Sequence, residues 1–141
     1  MSNSLNIAEK LAIHELLARA SYGLDERDVA LLADCFSEDA VMTLRVAGGD
    51  VIGPFEGRDG IMKLMTDSME QQTDKRRHVI SNIFFESEGD GRATLISNLT
   101  LFATANGEIH VLSAGVYHDE VIKTGGHWRL HRRHLELDKS Y

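Results

Sequence analysis

The sequence predicts an α+β domain: a long, curved antiparallel sheet that curls into a half-barrel, with three helices on its N-terminal side. Three observations carry this. Apolar residues recur at helical spacing in three stretches before Thr73. After Thr73 the pattern changes to long strand-like segments separated by glycine turns. Helices come mainly first and strands mainly last, which is the order of an α+β rather than a parallel α/β protein. A long antiparallel sheet twists strongly, and helices against one face leave a concave side that can hold a pocket.

Each element has its own signal. Ile13, Leu16, Leu17, Ala20 and Leu24 mark an amphipathic helix from about Ile7 to Tyr22. Gly23-Leu24-Asp25 breaks it, and Val29, Leu32, Cys35 and Phe36 mark a shorter second helix. Ala40 to Val46 and Asp50 to Ile52 read as strands joined at Gly48-Gly49, and Gly53-Pro54-Phe55-Glu56-Gly57 reads as a loop. Ile61, Leu64, Met65 and Met69 place a third helix at about Arg58 to Gln71. Long strands follow at Arg77 to Glu86, Arg92 to Ala105, Glu108 to Ile122 and His127 to Leu137. Asn106-Gly107 is the strongest hairpin signal, because both residues tolerate positive φ.

Composition bounds the function. The chain has 141 residues, the usual size of one domain, and residues 1–141 are expected to form just one. Hydrophobic residues at 43% and charged residues at 26% favour a folded core. A net charge of -7 argues against a nucleic-acid partner, which would call for a basic face. Cys35 is the only cysteine, so no intrachain disulfide forms, and this fits a cytoplasmic location. The polar stretch Met1 to Lys10 has no apolar signal core, and no apolar run approaches a membrane span.

Several segments carry a family likeness. Ile13-His14-Glu15-Leu16-Leu17-Ala18-Arg19, Gly23 to Asp28 and Phe36 to Val41 resemble the start of SnoaL-like proteins of the nuclear transport factor 2-like type. Gly53 to Asp59 resembles their loop into the third helix, and Arg77 to Asn82 and Trp128 to Arg133 are similar to their first and last long strands. The resemblance covers nearly the whole chain and implies a cystatin-like, cone-shaped half-barrel. It points to the branch with scytalone dehydratase, bile-acid 7α-dehydratase and hexachlorocyclohexane dehydrochlorinase, which are cofactor-independent lyases. It implies a catalytic His78 oriented by Asp25, with Arg133 matching an arginine of the dehydrochlorinase. Asn98 lies near an acidic position of the bile-acid enzyme. Ala20 and Leu24 replace a lysine of the dehydrochlorinase and a tyrosine of scytalone dehydratase, so the acid–base pair is what carries over. The second long strand and the last also resemble small subunits of ring-hydroxylating dioxygenases, which leaves a non-catalytic ligand-binding or subunit role as the alternative.

The chemistry suits the pair. A neutral imidazole accepts a proton near neutral pH, and a carboxylate on its other nitrogen fixes the tautomer and stabilises the imidazolium. Arg133, or Tyr22 and Asn98 as donors, would stabilise a leaving group or developing enolate. Met42 and Phe102 could line an apolar pocket for a small hydrophobic or aromatic ligand. The plain readings stand beside these: Asp25 as the N-cap of the second helix, His78 as a half-buried strand residue, Arg133 as a surface arginine. Asn98, at mid-strand, is expected to face a polar cavity. No cofactor motif is present, and no metal site is expected, because His131 and His134 should fall on opposite strand faces. Trp128, Leu130 and Val116 could supply apolar area on the outer sheet for a homodimer or homotrimer.

Overall fold

The computed structural model describes residues 4–141. Helix α1 spans Ile7–Asp25 and is capped by Asn6, whose side chain accepts the Glu9 N–H at 2.8 Å. It runs past the expected end at Tyr22 and so carries Asp25 in its last turn. Arg27 follows with φ 55, a left-handed residue that turns the chain toward α2 (Val29–Asp34). The two helices approach closely: a Cβ on Gly23 would sit 3.0 Å from the Leu32 Cβ. Strands β1 (Phe36–Val46) and β2 (Ile52–Glu56) precede α3 (Gly57–Gln71). Strands β3 (Lys75–Gly89), β4 (Arg92–Ala105), β5 (Glu108–Thr124) and β6 (His127–Leu137) complete the chain.

One sheet holds all six strands in the order β2-β1-β6-β5-β4-β3. The β4–β5 hairpin turns at Asn106 and Gly107, with φ 53 and 75, as two left-handed turn residues require. Several features differ from expectation. Phe36 opens β1 instead of closing the second helix, which ends at Asp34 with Cys35 as its C-cap. Gly53 to Glu56 is strand rather than loop and pairs with β1 through Met42 and Phe55. It is an edge strand, where Pro54 costs no shared ladder bond. The sheet is also not antiparallel throughout. Strand β1 lies parallel to β6, a pairing that needs a long connection and finds one in the intervening chain.

Side-chain alternation divides the sheet into a buried concave face and a wetter convex one. On β4 the inward row is Ala93, Leu95, Ser97, Leu99, Leu101 and Ala103. Asn98 and Phe102 therefore point outward, with Asn98 exposed, which corrects both expectations of a place in the cavity. The odd row consists of apolar residues and one small hydroxyl, and only that row can face the helices. A register shift on β6 between Leu130 and Arg132 re-aims the strand. Trp128 and Leu130 are buried in the core rather than on the outer face, and Trp128 donates its indole N–H to Glu9 at 2.6 Å. The same shift puts His131 and His134 on one face, the convex one, against the expected alternation. Val116 is outward as expected.

Helices α1 and α2 cover one end of the concave face, with Ile13, Leu17, Leu32, Phe36, Ile61 and Leu130 fully buried between the layers. Leu99, Tyr117, Leu135 and Leu137 form a second apolar group further along the sheet. Gly115 lies where β5 bends over β6: a Cβ there would land on the Glu136 carbonyl oxygen. Gly115→Ala must force the two strands apart. Denaturant unfolding should show a loss of about 1–3 kcal/mol, and an unchanged midpoint would contradict this account of the bend.

Candidate active site

Asp25 and His78 come from remote parts of the chain and meet where the end of α1 crosses β3. The Asp25 carboxylate accepts the His78 backbone N–H at 2.9 Å and the ring Nδ1–H at 2.6 Å. Both side chains are largely buried, at 9% and 12% exposure. The capping role goes instead to Asp28, whose side chain accepts the Leu31 N–H at 3.2 Å. A carboxylate at a helix C-terminus faces the negative end of the helix dipole, so these hydrogen bonds are what hold Asp25 there. A positive charge forming on His78 would sit favourably at that same helix end. With Nδ1 engaged, Nε2 is left without a hydrogen-bond partner among the described residues.

His78 lines a cavity of about 140 Å³ between the concave sheet and α3. Cavities of roughly 150 Å³ admit a benzene ring, so the hollow matches one small ring. Its walls are mostly apolar: Leu24, Met42, Leu44, Leu64, Met65 and Leu135. Met42 therefore lines the cavity as the sequence suggested. The residues on its wall that carry polar groups are Ser68, Gln72, Arg76, His78, Tyr117 and Tyr141. Tyr22 is mostly exposed and lies outside this cavity. It borders a separate groove of about 270 Å³ between α1 and β3 that His78 and Asp25 share with His14 and Ser21.

Arg133 is not a surface residue, nor does it line the cavity. Its guanidinium is buried and forms a two-pronged pair with Asp119, at 2.9 Å and 3.1 Å. The same group lies 3.7 Å from the centre of the Tyr117 ring. Burial works against the Arg133 charge, and Asp119 more than offsets it, so the guanidinium is held firmly charged. Residues Ser97, Tyr117, Asp119 and Arg133 thus form a polar patch on the concave face of β4, β5 and β6. The sequence reading missed Ser97, Tyr117 and Asp119. The signal was present, because all three sit in the odd rows otherwise filled by small or apolar residues. Cys35 is buried, and burial pushes its thiol up to about 11, which leaves it a packing residue. Among the described residues no three His, Cys, Asp or Glu side chains gather as a metal site, and no helix is long and apolar enough to cross a membrane.

Burial pushes the Tyr117 phenol up to about 12. An unfolded chain releases that proton at about pH 10, while the folded chain resists doing so. Stability from this group is therefore complete below about pH 10 and is lost as pH rises toward 12. Denaturant unfolding at several alkaline pH values should show a steeper decline for the wild type than for Tyr117→Phe. Parallel declines would contradict the assignment.

The sequence and the fold are similar to those of known proteins. A SnoaL-like domain model matches residues 6–134. Hexachlorocyclohexane dehydrochlorinase 1 of Sphingobium indicum is 26% identical over 131 residues, spanning 92% of this chain and 82% of that one. A Novosphingobium aromaticivorans structure provisionally named a scytalone dehydratase is 27% identical with a TM-score of 0.76, covering 94% of this chain and 85% of that one. The β subunit of a provisionally assigned aromatic-ring-hydroxylating dioxygenase from the same organism superposes with a TM-score of 0.81, covering 96% and 94% of the two chains. At 19% identity, that likeness extends to the fold alone. A match over almost the entire sequence, on a fold these structures share, means that the chain belongs to the SnoaL-like domain family.

Proposed function

We propose that this protein is a lyase or isomerase that removes a proton from a small, hydrophobic, ring-containing substrate and needs no cofactor to do so. One observation carries the reading: an imidazole held by a buried carboxylate at 2.6 Å stands on the wall of a mostly apolar, ring-sized cavity. The similarity to a dehydrochlorinase and to a provisionally named dehydratase supports the same class of chemistry.

In this scheme His78 Nε2 takes a proton from a substrate carbon. The electron pair of that C–H bond moves into a new double bond, and a leaving group on the adjacent carbon departs with its own pair. The imidazolium can return the proton to the leaving group, so a hydroxyl would depart as water. Asp25 is the positioning residue: it fixes the tautomer and stabilises the imidazolium without itself taking the proton. Arg133 acts from behind Tyr117 rather than on the substrate.

A directed screen of small cyclic β-hydroxy and β-halo compounds tests the scheme. On a substrate so found, His78→Ala and Asp25→Asn should each lower turnover by on the order of 10²–10⁴-fold, with circular dichroism unchanged. Wild-type rates in either variant would refute the assignment of the pair.

A further inference from the structure

Tyr117 carries more capacity than packing requires. It is a buried residue that also lines the cavity with His78. Its phenol oxygen has no hydrogen-bond partner among the described residues, yet it is absent from the sealed, unsatisfied atoms. It therefore keeps surface facing the hollow. Buried phenols ordinarily find a partner. Directly across the ladder stands Ser97, fully buried, whose hydroxyl is likewise unpartnered. Of these two unspent hydroxyls on neighbouring strands, that of Ser97 is sealed in the packing, while Tyr117 stands on the wall of the mostly apolar chamber. The Arg133 guanidinium carbon lies over the Tyr117 ring, and the group is itself held by Asp119, so the ring has little freedom to turn.

We propose that Tyr117 is the group that recognises a substrate oxygen, donating its phenolic hydrogen to a carbonyl or enol oxygen of a ring ketone or phenol-like compound while His78 faces the C–H bond. This deepens the proton-abstraction reading and rests on it for the role of His78. His78 pairs with Leu101 on β4, and Ser97, the cross-strand partner of Tyr117, lies roughly 13 Å further along that strand. Both side chains project into the same hollow, so one ring can lie between them. When the C–H bond next to the carbonyl breaks, its electron pair becomes the enolate and negative charge grows on the oxygen. A hydrogen bond already aimed there stabilises that charge without proton transfer. The high phenol value supports this role, because the group stays a donor throughout the neutral range. Arg133 and Asp119 then act as positioning residues for the ring.

Binding of two probes tests this without any turnover. 4-Nitrophenol offers a phenolic oxygen, and nitrobenzene has the same ring without it. The wild type should prefer 4-nitrophenol, Tyr117→Phe should cut that preference by about tenfold or more, and His78→Ala should keep it. In unaltered protein labelled at tyrosine Cζ with ¹³C, the Tyr117 resonance should move on adding 4-nitrophenol and stay for nitrobenzene. This second readout stands even where the Phe variant folds poorly. A preference unaltered in Tyr117→Phe, a preference lost in His78→Ala instead, or no binding of 4-nitrophenol to the wild type would each overturn the proposal. Because these readouts do not depend on His78 as a base, loss of the oxygen site and loss of the base assignment are separate results.

Discussion

The hydrogen bond from the His78 ring to Asp25 is the constraint on which the site depends. It joins the last turn of the first helix to the first long strand, two elements that only the finished fold brings together. The carboxylate holds the strand backbone and the imidazole at once. It thus fixes both the place of β3 under α1 and the side of the ring that faces the cavity. Helix α1 has to continue to Asp25 for this to happen, and the left-handed Arg27 then turns the chain away. Arg27 secures that turn by donating to the Asp74 carbonyl at 2.8 Å, just before β3 begins.

A second buried pair organises the opposite end of the hollow. Arg133 and Asp119 face each other across β5 and β6 in register. Burying an ion pair seldom adds net stability over an apolar pair, while leaving either charge alone costs about 3–5 kcal/mol. Apolar residues would pack as well there, so the presence of the pair asks for another reason. Its position against Tyr117 supplies one: it holds a phenol still at the edge of a mostly apolar chamber. The site would then have a base at one end and a donor at the other, with methionine and leucine between.

Much of this was legible in the sequence. The bounds of β4 and β6, the Asn106-Gly107 turn and the third helix follow from local composition. What failed were the faces. Asn98 drew attention as an amide at mid-strand, yet the row Ala93, Leu95, Ser97, Leu99, Leu101 was the continuous one and had to be inside. On β6 no parity rule could succeed, because the shift near His131 reverses the count partway along the strand. Strand β2 was hidden by Pro54, which reads as loop unless the edge position is known. Asp25 and His78 were named through family likeness. Nothing in their own spacing could bring them together, since their contact depends on the placement of a whole helix against a strand.

Nitrogen NMR on the His78 ring is the most direct test of the central claim. Nδ1 is expected to carry the proton, with a strongly deshielded Nδ1–H signal that disappears in Asp25→Asn, while Nε2 remains an unprotonated acceptor. A ring protonated at Nε2, or one averaging freely between both forms with Asp25 intact, would contradict it.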